Sequence, residues 1–287
     1  MPVTLGINTQ SLQAQRQLAN TTQGLSKTYE QLSSGLRINK AADDAAGLAI
    51  ADGLKRDQRI ATVAIRNAND GVSVIAIADG ALAEIGNVLN RMGELAQQSS
   101  NGVLSLEQRS ALSIEFSALG SEIQRIAVTT EFNSVKLLST NQQIALQVGF
   151  DSKSTSQITL SNVTATLSAI GLATSGSGEG LGYSVNAGTI LDAQSASRNA
   201  LDNVRAAIGS VSSLRGQIGA GESRLRTAVN FLSVARENFA SAEAQIRDAD
   251  IAMAAAELTR LGILQQAGSS ILSQANQQPQ LALRLIG

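Results

Sequence analysis

The chain has no cysteine, no histidine and only two prolines in 287 residues. Without cysteine there can be neither disulfides nor thiolate metal ligands. Without histidine as well, the commonest zinc sites, cysteine nucleophiles and histidine-dependent triads are excluded. Aromatic residues make up 2%: five Phe, two Tyr and no Trp. Aromatic rings supply much of the buried area of a thick core. Burial here falls to Leu, Ile, Val and Ala, which suit narrow seams between helices. Neither sign of charge dominates, with 22 basic against 23 acidic residues. That balance gives no electrostatic reason to bind nucleic acid or an anionic membrane. The opening MPVTLGINTQ lacks the basic start and apolar run of an ordinary secretory signal. The stretch 261–283 carries no charge, but Gln265, Gln266, Ser269, Ser270, Ser273, Gln274 and Asn276 make it too polar for a bilayer core. No membrane insertion is expected.

Both prolines, Pro2 and Pro279, lie near the ends, so nothing between them need break a helix. What fills that space is three-and-four spacing of apolar residues, the signature of coiled coils and bundles. Leu18, Thr22, Leu25, Tyr29, Leu32 and Leu36 form one seam. A second runs from Ile65 through Ile75, Leu82 and Leu89 to Met92. Leu112, Phe116, Leu119, Ile123 and Ile126 form a third. A fourth runs from Ile218 through Gly221, Leu225, Leu232 and Phe239 to Ile246, and a fifth includes Ile251, Leu258, Leu261, Leu264 and Ile271. A helix over about 45–100 would be roughly 80 Å long at ~1.5 Å per residue.

Residues 140–190 differ: fifteen of these 51 are Ser or Thr and seven are Gly. Ile144, Leu146 and Val148 alternate, as do Ile158 and Leu160, with DSKSTS between them. That pattern predicts a β-hairpin, and TSGSGEGLG (174–182) predicts a surface loop. The fold class is therefore mostly α: a long antiparallel helical rod or coiled-coil bundle with a small β-hairpin insert. Residues 1–15 carry no charged side chain, and the seams at both ends are narrow, with Tyr29 their one aromatic. Isolated helices of this kind are marginal in water. The two ends are expected to become ordered by burying against other copies of the chain.

Specific strings sharpen this reading. LSSGLRINKAADDAAGLAIA (32–51) resembles the N-terminal signature of bacterial flagellins. RNANDGVSVIAIADGALAEI (66–85) resembles the next block of that family. TEFNSVKLL (130–138) is similar to its Phe-Asn-Gly-Val-Lys-Leu-Leu string, with Ser134 in place of Gly. Residues 239–286 resemble the C-terminal signature almost throughout. The departures are Met253, where an acidic residue is common, and Glu222-Ser223 in place of Gln-Asn. Together the blocks cover about 1–140 and 195–287.

The resemblance implies a structural protein, not an enzyme, with no cofactor and no metal. It implies a subunit that self-assembles into the extracellular flagellar filament for swimming. Residues 1–45 with 245–287 would form an inner coiled-coil domain. Residues 46–244 would form an outer rod domain carrying the insert at about 140–190, with no large variable outer domains. Assembly would run through Leu18, Leu25, Tyr29, Leu32, Leu36, Ile251, Leu258, Leu261, Leu264 and Ile271. Leu82, Leu89, Leu225, Leu232 and Phe239 would form the core of the rod within one subunit. The implied partners are other copies of the chain, the flagellar type III export apparatus, a flagellin chaperone on the C-terminal helix, and hook-associated junction and cap proteins. Arg91, Leu95 and Glu115 match exposed rod residues through which Toll-like receptor 5 binds some flagellins, although Gly93 departs from the Arg found beside them. Two alternatives stay open: a hook–filament junction protein, and a helical adaptor or signalling coiled coil. The carboxylate pairs Asp43-Asp44 and Asp248/Asp250 are read as helix-start or ion-pair groups rather than catalytic ones.

Overall fold

In a computed structural model, residues 8–160, 163–173 and 180–286 are described, with the backbone alone for 278–286. Five long helices carry the described chain: α1 (Thr9–Ser34), α2 (Ala45–Ser99), α3 (Leu106–Thr129), α4 (Ile190–Arg247) and α5 (Ile251–Ile286). Two antiparallel strand pairs lie between α3 and α4. The first joins β1 (Glu131–Phe132) to β2 (Val135–Lys136), and the second joins β3 (Ile144–Gln147) to β4 (Gln157–Leu160). The long helix expected from about 45 to 100 is α2. The expected hairpin is β3–β4, in the register Ile144↔Leu160 and Leu146↔Ile158. Val148 stands just beyond β3, yet its N–H still donates to the Ser156 carbonyl at 2.9 Å. The expected loop 174–182 lies, in its first six residues, outside the described residues.

The chain divides into two compact units, 1–58 with 236–287 and 59–235. The sequence expectation put the division at 45/46 and 244/245. The observed limits fall inside α2 and α4, so no helix end marks them.

In the larger unit the seam of α2 is the spine of the core. Ala68, Ile75, Ala78, Leu82, Ile85, Leu89 and Met92 are buried, together with Phe116 and Ile123 of α3 and Val204, Ile218 and Leu225 of α4. By length and composition α2 could cross a membrane, but here its apolar stripe is spent on this core. Leu82, Leu89, Leu225 and Leu232 are all buried in the larger unit, as the rod seam requires. Phe239 is not part of that core: it is only half-buried and lies in the other unit. Glycine allows the closest approaches. A Cβ on Gly71 would fall 3.0 Å from Leu225 Cδ1 and closer still to Leu146 of the hairpin. Asp79 and Arg215 bridge α2 to α4 at 2.7 Å.

The turn between α2 and α3 is organised by a fully buried arginine. Arg109 donates to the carbonyls of Ser99, Asn101 (2.6 Å) and Leu104 (3.4 Å). These oxygens belong to the C-terminal end of α2 and the turn after it, where partial negative charge collects. Ser99 Oγ donates to the Val185 carbonyl at 2.7 Å, and Ser197 Oγ donates to Ser99 Oγ at 3.0 Å, so the first turns of α4 join the same buried network. Ser105 caps α3 and forms a reciprocal capping box with Gln108.

The turn between β1 and β2 was not expected. Its central residues, Asn133 and Ser134, both have positive φ, 48° and 64°. Two-residue hairpins favour this left-handed pair because its twist matches that of the strands.

Candidate functional site

The smaller unit pairs α1 antiparallel to α5, and the inner face of that pair sets small and polar groups among leucines. Ser11, Thr21 and Thr28 are the buried residues of α1. Ser11 Oγ donates to Asn276 Oδ1 at 2.7 Å, and Asn8 Nδ2 donates to the Ala275 carbonyl at 2.8 Å. Where Gly24 faces α5, a Cβ would sit 3.4 Å from Leu261; where Gly268 faces α1, one would sit 3.5 Å from Leu18. Thr21 and Thr28 return their hydroxyls to the carbonyls of Gln17 and Gly24, which removes their need for outside partners.

Part of the bulky apolar set lies outside that face. Leu12 and Tyr29 of α1 are more than half exposed, and so are Ile251, Met253, Ile263 and Ile271 of α5, with Met253 at 69%. The seam read from the sequence shares Leu18, Leu25, Leu32, Leu258 and Leu261 with the inner face but leaves it at Thr22, Tyr29, Leu264 and Ile271, which are exposed. On α1, Thr21 and Thr28 are buried in place of their neighbours Thr22 and Tyr29. Of the residues expected to drive assembly, Leu261 is buried, Leu18, Leu25, Leu32, Leu36 and Leu258 are half-buried, and Tyr29, Ile251, Leu264 and Ile271 are exposed. Leu12, Met253 and Ile263 belong with the exposed set and were missed. Three- and four-residue spacing from Ser11 through Leu18, Thr21, Leu25 and Thr28 marks the true inner face, but a search for apolar residues passes over its serine and threonines.

The two loops of this unit are tied to each other. Gly35 ends α1 in the left-handed region (φ 72°), and its N–H donates to the Gln31 carbonyl at 2.9 Å. Arg37 N–H donates to the Arg247 carbonyl at 2.6 Å, and Ala249 N–H to the Gly35 carbonyl at 2.9 Å. The Arg37 guanidinium also donates to the Ile246 carbonyl at 2.6 Å. Asp43 lies further along the α1–α2 loop and holds that loop to α1. The Lys27 ammonium at 2.8 Å, followed by the N–H groups of Lys40 and Asn39, lowers its carboxyl pKa to about 2. Asp44 accepts from Gly47 N–H at 2.9 Å and Asp250 from Met253 N–H at 3.0 Å, so both carboxylates cap helix starts. Among the described residues, no three Asp or Glu cluster as a metal site would need.

Of the residues matched to receptor contacts, Arg91 and Glu115 are exposed and joined at 2.9 Å, bracing α2 against α3. The Glu94 and Glu115 carboxylates both hold the Arg91 guanidinium in its charged form. Leu95 is not exposed: it is fully buried in the larger unit, because it continues the seam one turn beyond Met92.

Residues 6–143 match the family model of the bacterial flagellin N-terminal helical region, and residues 201–286 match that of the C-terminal helical region. The flagellin of Halalkalibacterium halodurans is 42% identical over 281 residues, 97% of this chain and 98% of its own. The chain belongs to the bacterial flagellin family. The flagellin of Bacillus subtilis is 36% identical, and so is the flagellar filament 33 kDa core protein of Treponema phagedenis; each aligns over 97% of this chain and 98% of its own. Among solved structures, the crystal structure of Bacillus cereus flagellin aligns with 58% of this chain and 88% of its own, at 26% identity and a TM-score of 0.48. The flagellin helical regions cover α1 to β2 at one end and most of α4 with α5 at the other, so both helices of the terminal pair lie within them.

Proposed function

We propose that this flagellin is the structural subunit of an extracellular flagellar filament and that it assembles through its paired terminal helices. The observation that carries the proposal is the bulky apolar area that the α1–α5 pair leaves uncovered. Ser11, Thr21, Thr28, Leu261 and Ala275 are buried, while Leu12, Tyr29, Met253, Ile263 and Ile271 stay exposed. A lone chain leaves that apolar area in water. Stacking copies removes it at roughly 25 cal/mol per Å², and mass action repeats the gain at every contact. The 1–58 with 236–287 unit then carries the contacts between copies.

On this reading the chain does no catalysis. It calls for the type III export apparatus, a chaperone on α5, and junction and cap proteins at the filament ends. A receptor surface, if one is used, involves Arg91 and Glu115 without Leu95.

The test is assembly of the purified chain. The full chain should form helical filaments visible by electron microscopy. Chains lacking 1–30 or 258–287 should stay soluble and partly folded without forming any. Filaments of normal length from either truncation would refute the proposal. Location along the whole flagellum, rather than at its base alone, separates a filament subunit from a junction protein.

A further inference from the structure

Within the larger unit a cleft of about 240 Å³ lies between α2, α4 and the β3–β4 hairpin. Its walls are apolar, with Ile75 and Ala78 from α2, Ile218 from α4, and Ile144 and Leu160 from the hairpin. Gly221 lets the hairpin come close to α4 at the edge of the cleft: a Cβ there would fall 2.9 Å from a Leu160 methyl and 3.6 Å from Ile75. For scale, a dry apolar cavity of about 150 Å³ is enough to hold benzene, so a short alkyl chain fits.

The polar residues of the lining are Gln142, Thr159, Gln217 and Arg224, with no carboxylate among them. Arg224 is exposed and has no ion pair among the described residues. Its neighbours on α4 are committed, Arg215 to Asp79 at 2.7 Å and Arg226 to Glu222 at 2.6 Å. Three elements of one chain thus enclose an apolar slot whose one charged group is a cation at the rim. Ligand sites have this character, mostly apolar with a few convergent polar groups that fix orientation.

We propose that the cleft binds a small amphiphilic anion, a medium-chain alkyl carboxylate. The tail lies between Ile75, Ile218 and Leu160, and the head group meets the Arg224 guanidinium. An apolar group alone would fill the slot but leave Arg224 without a counter-charge. A carboxylate satisfies both parts, because guanidinium–carboxylate pairs are charge-assisted and directional.

The probe is sodium octanoate, titrated calorimetrically into the unpolymerised full chain, with octanol as the uncharged comparison. Octanoate should saturate one site per chain and bind at least fivefold more tightly than octanol. Arg224→Gln should erase that difference and leave the far-ultraviolet circular dichroism unchanged. The Arg224→Gln change, at an exposed position, carries the decision. Absence of saturable octanoate binding overturns the proposal, and so does binding that Arg224→Gln leaves untouched. If octanoate does not bind and Arg224→Gln blocks filament growth, the slot belongs to a second copy and the proposal is equally overturned. Filament formation by the parent chain is measured separately, so the assembly reading stands or falls on its own.

Discussion

Leu232→Asp distinguishes packing within the chain from packing between copies. Leu232 is 1% exposed, and the antiparallel register locates what it faces. Leu225 lies against Gly71, and Val204 against Gly93. Seven residues further along α4 and seven back along α2, that register brings Leu232 level with Ala64, itself buried. Removing a buried leucine side chain costs about 2–5 kcal/mol, and leaving a carboxylate there without a partner adds several more unless it takes up a proton. The total is about 5 kcal/mol or more. For a unit of this size, ~2–4 °C per kcal/mol converts that to a melting point lowered by roughly 10–20 °C. Thermal melting of unpolymerised protein, followed by circular dichroism, measures it. Arg236→Asp, at an exposed position, should melt within a degree or two of the parent. If Leu232→Asp melts like the parent and fails only to polymerise, the residue faces a neighbouring copy and the assignment to the chain's own core is wrong.

Ser134→Gly should stabilise the β1–β2 turn, because Ser134 holds φ 64° and a left-handed residue with a Cβ costs about 1–2 kcal/mol. The glycine's greater freedom in the unfolded chain returns part of this, so a net gain of about 0.5–1 kcal/mol should appear as a raised urea midpoint. Asp43 makes the smaller unit sensitive to acid. Its folded pKa, about 2, lies below the unfolded value of about 3.9. Its contribution is therefore complete above pH ~4 and is lost as pH falls through ~2. Melting points taken across that window should fall less steeply for Asp43→Asn than for the parent, and parallel curves would show the carboxylate to be uninvolved.

Long elements were legible in the sequence and short ones were not. The seam from Ile65 to Met92 needs the same residues whether read from spacing or from packing, because many turns average out local exceptions. The β3–β4 hairpin was equally plain from its alternating Ile and Leu. The β1–β2 pair has two residues per strand, too few for alternation to register. On α1 and α5 the apolar pattern found only part of the inward face, Leu18, Leu25 and Leu261 among it, since Ser11, Thr21, Gly24 and Thr28 occupy the rest. Leu95 could have been read as buried, three residues beyond Met92 on an established seam. Arg109 could not, because a charged side chain is ordinarily a surface residue and only its ring of carbonyls explains the exception.

That ring of carbonyls has a consequence for how the molecule responds to its surroundings. Arg109 is balanced by peptide oxygens of Ser99, Asn101 and Leu104, which do not titrate, whereas the tie around Asp43 depends on a carboxylate that does. A guanidinium also keeps its charge at any pH a protein meets. The contacts that Arg109 makes in the turn joining α2 to α3 therefore survive acid, while the Lys27–Asp43 contact of the loop joining α1 to α2 is lost as its carboxylate takes up a proton. Acid acts on one loop of the smaller unit and leaves the buried turn of the larger unit its full set of partners.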